Sequence, residues 1–166
     1  MKKLNFGCGR DIKLDYINAD IVKFDGVDIA FDFNSFPYPF NDNEFDEVYC
    51  DNVLEHLEDV KAVIDELYRI SKNNCIIHII VPYYNCYGAY NDVTHKHYFS
   101  HMSFEPFYNE NYKYYYYFDK KFKLENIKLT PTRIGKVFLF KKIILFLSFI
   151  FGQIIQNIDV KLKVIK

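Results

Sequence analysis

The feature that most constrains the fold is a continuous apolar run, Cys75–Val81, which follows an amphipathic helical pattern. A run without polar alternation is typical of a strand that is buried on both faces of a parallel sheet. The preceding segment, from about Leu57 to Ser71, places apolar side chains at helical spacing and charged side chains on its other face. This order of elements predicts an α/β fold, and Pro82 ends the strand because proline cannot donate to the ladder.

Shorter apolar runs predict the other strands of the same sheet. Those before the helix are Lys3–Phe6, Tyr16–Ile21, Val27–Phe31 and Glu47–Cys50. Those after the apolar run are Tyr112–Phe118, Phe122–Leu129 and Ile158–Ile165. Because the last of these alternates apolar and polar residues, we expect a mostly parallel sheet that finishes with antiparallel strands.

The length and composition of the chain indicate one globular domain. A chain of 166 residues suffices for one hydrophobic core and is short for two. Half of its residues are hydrophobic, which argues against disorder. The net charge is −1 and lysines are mixed with acids until the last quarter, so we expect no nucleic-acid partner.

The cysteines of the chain predict its redox compartment. They lie within or at the ends of apolar runs, without close pairing, whereas disulfide frameworks are typical of short, secreted, loop-rich chains. The N-terminal residues lack the apolar stretch of a signal peptide. We therefore expect a cytoplasmic protein with reduced thiols at Cys8, Cys50, Cys75 and Cys86.

A glycine turn follows the first predicted strand, in the sequence LNFGCG that ends at Gly9. Glycine permits backbone angles that other residues resist, and it lets a ligand approach the main chain closely. Ile12 stands where the third glycine of a dinucleotide fingerprint would fall, so a cofactor without a diphosphate fits better. On this motif alone, an ordinary tight turn at a strand end stays open.

Carboxylates close the next two predicted strands, at Asp20 and at Asp32. The carboxyl ends of parallel strands form the ligand-binding edge of such a sheet, and a carboxylate can accept hydrogen bonds from both hydroxyls of a ribose. Either residue alone would be read as a solvated strand end. The glycine turn and these two carboxylates lie at three successive strand ends, and together they indicate a nucleoside-containing cofactor.

With these motifs, the chain resembles the small class I S-adenosylmethionine-dependent methyltransferases that are often found in bacterial polysaccharide and glycan gene sets. The matching stretches are LNFGCG, YINADI, VDIAFDFNSFPYPFNDNEFDEVYCDNVLEHL, ELYRISK, CIIHIIVP and DVTHKHYFSHMSF. The resemblance implies a Rossmann-like class I methyltransferase sheet in a single domain, residues 1–166. Residues 1–82 would form the cofactor-binding half, and residues 83–166 would supply the acceptor loop, the C-terminal strands and an apolar helical segment.

The resemblance also implies S-adenosylmethionine as the cofactor and S-adenosylhomocysteine as the product. The Gly7-Cys8-Gly9 turn would flank the methionine end of the cofactor, and Asp20 would hold its ribose. Asp32 and Phe33 would contact its adenine.

A block after the fourth strand extends the implied cofactor site. Asn52, Val53 and Leu54 would line the pocket beneath the sulfonium, whereas Glu55 and His56 would hold the loop rather than do chemistry.

Two departures from the family pattern concern the start of the chain. Only residues Arg10–Asp15 separate the glycine turn from the next strand, so the first helix should be reduced to about a turn. Asn5 stands where many relatives have an acid that helps to bind the amino group.

Chemistry on the acceptor is expected between Pro82 and Pro106, a long segment rich in Tyr, Asn and His that overhangs the ligand-binding edge. His95 is a candidate base because an imidazole titrates near neutral pH, and Asp92 could orient it. His97 is the third candidate in this segment. The alternative is that these side chains only order a polar loop.

A metal site is a further interpretation of this segment, because imidazoles are common zinc ligands and His95, His97 and His101 lie close in sequence. No cysteine pair or carboxylate is spaced to complete such a site, so we predict no metal.

The segment Gly135–Ile155 is the most apolar part of the chain, interrupted by Lys141 and Lys142. A helix that crosses a membrane needs roughly 20 apolar residues, which this segment does not supply in one run. Its interpretations are a core or homo-oligomer interface, and a helix on a membrane surface with Lys136 among the charges that favour an anionic leaflet.

The resemblance therefore implies a methyltransferase that acts on a hydroxyl or similar group of a sugar, a glycan precursor or a related small molecule. The acceptor class rests on the gene sets in which similar chains occur, which is an association and not a physical argument. The alternative from another class is a non-catalytic binding or scaffold protein with the same fold, suggested by the short first crossover and the apolar segment.

Overall fold

The computed structural model describes residues 1–137 and 141–166, apart from the side chains of Val137 and Lys141. Strands in these residues form one sheet, and they lie side by side in the order β3-β2-β1-β4-β5-β7-β6. Their bounds are β1 Lys3–Phe6, β2 Ile17–Asp20, β3 Ile29–Ala30, β4 Phe45–Asp51, β5 Ser71–Pro82, β6 Lys121–Pro131 and β7 Ile155–Ile165.

The first five strands pair in parallel, whereas β7 runs antiparallel to both β5 and β6. This arrangement confirms the predicted α/β class with a mostly parallel sheet and antiparallel C-terminal strands. The strand order reverses between β1 and β4, so a crevice lies at the carboxyl ends of these two strands. The glycine turn after β1 and the residues that follow β4 meet at this point.

One long helix covers the centre of the sheet. It begins after Asp59, whose carboxylate accepts a hydrogen bond from the Ala62 amide at 2.9 Å and so satisfies a free N–H of the first turn. Its apolar stripe is buried, which confirms the predicted amphipathic helix with slightly shorter bounds. The helices are α1 Val60–Ile70, α2 Tyr87–Tyr90, α3 Glu105–Tyr108 and α4 Lys141–Ile150, with short 3₁₀ turns at Leu54–His56, Tyr115–Tyr117 and Gly135–Val137.

The two faces of β5 are covered unequally. Ile77 and Ile79 are fully buried, whereas His78 on the other face is half-buried and pairs with Asp159 at 2.8 Å. The prediction that both faces of this strand are buried is therefore wrong. Right-handed crossovers place the β1–β2 and β4–β5 connections on opposite faces, and the first connection, Arg10–Asp15, contains turns and no helix. We predicted that about one turn of the first helix would remain, whereas these residues form no helical turn.

The prediction of a strand over Tyr112–Phe118 is also wrong. The structure forms turns and the 3₁₀ helix Tyr115–Tyr117 there, with Tyr116 and Tyr117 mostly exposed and their rings 4.3 Å apart. A run of tyrosines lacks the alternation that would bury one face of a strand, so β-propensity alone does not decide its structure.

The apolar segment 135–155 forms a 3₁₀ turn and α4, with residues 138–140 outside the described part. Helix α4 packs one side against the protein through Ile144, Leu145 and Leu147 and exposes Phe146 and Phe149 on the other. Among the described residues, no helix has the length and apolar character needed to cross a membrane.

Candidate active site

The turn after β1 is fixed by its backbone. The amides of Gly7 and Cys8 both donate to the carbonyl of Ala19 at 2.9 Å, which joins the turn to the end of β2. Gly7 has a φ of +72°, and a Cβ at this position would overlap the Cγ2 methyl of Val53. Gly9 has a φ of +49°, but a Cβ there would meet nothing within 4 Å. The turn therefore packs against the protein at Gly7 and faces open space at Gly9.

Asp20 lies at the end of β2 and contacts this turn directly. One carboxylate oxygen accepts from the Gly9 amide at 2.7 Å, and the other accepts from the Ile21 amide at 2.8 Å. Burial and the charge of Asp20 raise the pKa of the neighbouring Cys8 thiol to about 11, so this thiol is neutral. Asp20 also borders a cavity of about 560 Å³, which is lined by Arg10, Ile12, Asp20, Val22, Phe24 and Asp25.

Asp32 and Phe33 have different surroundings. Asp32 is exposed, and hydrogen bonds from the Asn34 amide at 2.9 Å and the Ser35 hydroxyl at 3.0 Å lower the pKa of its carboxyl. The ring of Phe33 is buried and stacks on Phe6 with centroids 4.0 Å apart. This ring therefore belongs to the core, and only the backbone of Phe33 is left to contact an adenine.

The three residues after β4 also differ in exposure. Asn52 is exposed with a φ of +53°, its amide donates to the Ile80 carbonyl at 2.9 Å, and its side chain donates to Asp51 at 2.8 Å. Val53 is buried against Gly7, and Leu54 is fully buried in the core. Of the three residues predicted to line the sulfonium pocket, only Asn52 offers its side chain to a cavity.

A cavity of about 310 Å³ lies between the glycine turn and the end of β4. Tyr49 and Asp51 line it, although sequence reasoning did not single them out, and the Tyr49 hydroxyl donates to Asp51 at 2.8 Å. Their alternation with the buried Val48 and Cys50 is the signal that could have identified them. The other lining residues are Asn5, Gly7, Cys8, Gly9, Arg10, Asp11 and Asn52.

A larger cavity of about 850 Å³ adjoins this one, and Asn52 borders both. His95 and Asp92 line the larger cavity, together with Glu55 and His56, which the sequence assigned only to holding the loop. His97 lies outside the lining and donates through Nε2 to the carbonyl of Glu58 at 3.2 Å.

The His95 ring is held by one backbone contact. Its Nδ1 lies 2.9 Å from the carbonyl oxygen of Ala89, which can only accept, so Nδ1 donates and Nε2 is left without a hydrogen-bond partner. Asp92 does not orient this ring as expected: its carboxylate accepts from the amide and the hydroxyl of Thr94, at 2.8 and 2.7 Å. These two bonds lower the pKa of Asp92.

Glu55 and His56 lie beside His95. The carbonyl of Glu55 accepts from the Lys96 amide at 2.7 Å and so holds the loop, but its buried side chain has no hydrogen-bond partner at either oxygen. Burial raises the pKa of this carboxyl to about 7. Burial and the neighbouring His95 lower the pKa of His56, whose Nδ1 lies 2.8 Å from the Thr94 hydroxyl.

Part of the chain matches a known family of enzymes. Residues 4–79 match the family model described as a methyltransferase domain. The curated proteins give no match.

Solved structures share the whole fold. The YcgJ protein from Bacillus subtilis has a TM-score of 0.63 at 14% identity, over 99% of this chain and 92% of that chain. An S-adenosylmethionine-dependent methyltransferase from Archaeoglobus fulgidus has a TM-score of 0.60 at 18% identity, over 96% and 85%. Another from Mesorhizobium loti has a TM-score of 0.63 at 11% identity, over 98% and 90%. At these identities the structures establish the fold.

The sheet has the Rossmann-like fold of class I methyltransferases, and the methyltransferase-domain match lies within its first five strands. The chain is an enzyme that transfers methyl groups, and its cofactor is S-adenosylmethionine. The predicted fold class, enzyme class and cofactor are confirmed, and the scaffold alternative is not favoured.

Proposed function

We propose that residues 1–82 bind S-adenosylmethionine and that residues 83–166 complete the acceptor site of the same domain. The methionine end of the cofactor would lie in the 310 Å³ cavity, and the acceptor would lie in the 850 Å³ cavity. The observation that carries this proposal is that Asn52 borders both cavities. A methyl group passes directly from the sulfonium to the acceptor, so the two ligands must meet at such a shared wall.

The adenosine would extend from the glycine turn towards the 560 Å³ cavity, because Arg10 lines both this cavity and the 310 Å³ one. Asp20 would then hold the ribose, and Asp32 would lie on the side of the adenine. The free lone pairs of the Asp20 carboxylate suit the two ribose hydroxyls.

The acceptor that we propose is a hydroxyl group of a sugar, a glycan precursor or a related small molecule. The 850 Å³ cavity has the size of a small-molecule site. Hydrogen-bonding side chains line much of it, which suits a polyhydroxylated ligand; they include Asn91, Thr132, Gln153, Gln156 and Asn157.

The transfer step needs little side-chain chemistry. A lone pair of the acceptor oxygen forms a bond to the methyl carbon while the carbon–sulfur bond breaks, and its electron pair stays on sulfur to give S-adenosylhomocysteine. The hydroxyl proton would pass to the free Nε2 of His95, which lines the cavity. Thr94 and Asp92 would order the loop that carries this histidine.

The test of this function is transfer of a labelled methyl group from S-adenosylmethionine to sugars and glycan precursors, alongside calorimetry with S-adenosylhomocysteine. We expect label in a hydroxylated product. Binding of S-adenosylhomocysteine without label in any hydroxylated acceptor would contradict the acceptor class and leave the cofactor assignment intact.

We predict that Asp20→Ala weakens binding of S-adenosylhomocysteine by about 1.5–3 kcal/mol, the scale of hydrogen bonds to a charged group. The variant also frees the amides of Gly9 and Ile21, so its unfolding free energy should be measured as well. Asp25→Ala is the matched control, because Asp25 is an exposed carboxylate of the same cavity. An unchanged dissociation constant for Asp20→Ala would place the ribose elsewhere.

We also propose a cytoplasmic protein that contacts the inner face of the membrane through residues 135–155. All four cysteines are free thiols, which supports the cytoplasm. On α4 and just beyond it, Phe146, Phe149 and Phe151 expose 63%, 65% and 58% of their surface. Exposed Lys136 and Lys142 would each contribute about 1 kcal/mol near an anionic leaflet.

We expect the protein to sediment with anionic vesicles at low salt, and much less at high salt. The double variant Phe146→Ser, Phe149→Ser should stay in the supernatant, because it removes apolar side chains that would enter the interface. Tyr116→Ser, Tyr117→Ser is the control, since these rings are equally exposed elsewhere. A wild type that stays in the supernatant and is a dimer by light scattering would show an oligomer interface instead.

A further inference from the structure

We propose that Glu55, His56 and His95 bind a divalent transition-metal ion in the wall of the acceptor cavity. One potential ligand atom from each residue lies within 4.8 Å of those of the other two. Zinc takes ligands from imidazole and carboxylate at about 2.0–2.2 Å, so a shared ion requires the three side chains to converge on it. The sequence around the histidines offered no carboxylate to complete a metal site, and in the structure Glu55 supplies it from a distant part of the chain.

The two histidines are oriented as metal ligands are. Since Nδ1 of His95 donates to the Ala89 carbonyl, its Nε2 is free. The Thr94 hydroxyl gives its hydrogen to Asp92, so its oxygen accepts from Nδ1 of His56 and leaves that Nε2 free as well. Histidines that bind metals almost always donate their other ring N–H to a carboxylate, a backbone carbonyl or water, which fixes the ring, and His95 has such a carbonyl.

Glu55 supplies the second, independent observation. Its side chain is 1% exposed, and both carboxylate oxygens lack a hydrogen-bond partner. Buried polar groups are nearly always satisfied, because an unpartnered one costs much of its hydration energy. A cation bound between this carboxylate and the two imidazole rings would give the carboxylate the partner that it lacks.

Other histidines of the loop do not join this cluster. His97 uses Nε2 to donate to the Glu58 carbonyl, and His101 lies 3.5 Å from the Tyr83 hydroxyl. The earlier grouping of His95 with His97 and His101 is therefore replaced by a different set.

Three protein ligands beside an open cavity leave coordination positions for water or substrate, which is typical of catalytic metal sites. The role of the ion rests on the proposed function: it would bind the acceptor hydroxyl and lower its pKa. Nε2 of His95 would then be a ligand, and the acceptor proton would leave to water. The bond changes at the methyl carbon and sulfur stay the same.

The test is a titration of Zn²⁺, and in parallel Mn²⁺ and Mg²⁺, against a chromophoric chelator, with protein purified without a metal-affinity tag and stripped of metal. We expect one zinc ion per chain. Glu55→Gln and His56→Ala should each lower the affinity by more than about 100-fold, above the 10- to 100-fold range of second-shell partners. Thr94→Val, an exposed position, should fall within that range.

His101→Gln is the control, and it should bind zinc as the wild type does. Zinc affinity unchanged by Glu55→Gln would mean that Glu55 is an uncharged buried acid, and it would overturn the proposal, as would the lack of any zinc or manganese binding. Calorimetry with S-adenosylhomocysteine on the same samples separates the two hypotheses. If the protein binds S-adenosylhomocysteine but no metal, only the metal site is contradicted. If it binds metal but no S-adenosylhomocysteine, only the cofactor assignment is contradicted.

Discussion

Gly7→Val is expected to abolish binding of S-adenosylhomocysteine in calorimetry. The φ of Gly7 is +72°, where a residue with a Cβ costs roughly 1–2 kcal/mol and a β-branched one more. The new Cβ would also overlap the Cγ2 methyl of Val53, which is buried and cannot move away freely. The turn must therefore shift, and the amides that join it to Ala19 and Asp20 shift with it.

Gly9→Ala separates backbone strain from this overlap. Its φ of +49° gives a similar strain, but its Cβ would point into open space, so stability should fall by only about 1–2 kcal/mol. Gly7→Ala should cost more, and the double variant Gly7→Ala, Val53→Ala should recover the part that comes from the overlap. If Gly7→Val still binds S-adenosylhomocysteine with the affinity of the wild type, the glycine turn does not contact the cofactor and only ends the strand.

The positions of the proposed cofactor residues could be predicted from the sequence because parallel strands end at one edge of a sheet. Strands β2, β1 and β4 are neighbours in the sheet, so the residues at or just after their ends, Asp20, Gly9 and Asn52, lie at the same crevice. The predicted order of strands and helix supplied this, with errors of a few residues at the ends.

The direction of individual side chains could not be predicted in the same way. In FDFNSF, Asp32 and Phe33 are adjacent, yet one is exposed and the other is stacked in the core. A segment with no regular period has no rule that assigns its side chains to a face. Leu54 is a similar case, since the sequence placed it at the pocket and the structure buries it fully.

The cluster of Glu55, His56 and His95 lay beyond sequence reasoning for a different reason. It depends on a long loop that returns to the end of β4, where the Lys96 and His97 amides donate to the Glu55 carbonyl. Such long-range backbone contacts leave no periodic signal. We expected Glu55 to hold the loop, and its backbone carbonyl does so. Nothing in the sequence indicated that its buried side chain would lack a hydrogen-bond partner.

Phe6→Ala is expected to lower the free energy of unfolding by about 3–5 kcal/mol, the range for loss of a buried aromatic ring. Phe6 is fully buried, and its ring lies 4.0 Å from that of Phe33 and 5.6 Å from that of Tyr38. The Tyr38 hydroxyl in turn donates to the Phe33 carbonyl at 2.9 Å. The cluster thus anchors the segment that carries Asp32, next to the proposed adenine.

Urea denaturation at 25 °C measures this effect, and Phe146→Ala is the matched control because its ring is 63% exposed. The control should stay within about 0.5 kcal/mol of the wild type, as surface substitutions usually do. Under conditions where Phe6→Ala is still folded, its affinity for S-adenosylhomocysteine should also fall, because Phe33 loses its stacking partner. A loss of stability below about 1 kcal/mol would show that the core closes around the missing ring, since a cavity that collapses costs little. If the free energy of unfolding falls as expected but the affinity for S-adenosylhomocysteine does not change, the aromatic cluster does not determine the position of Asp32.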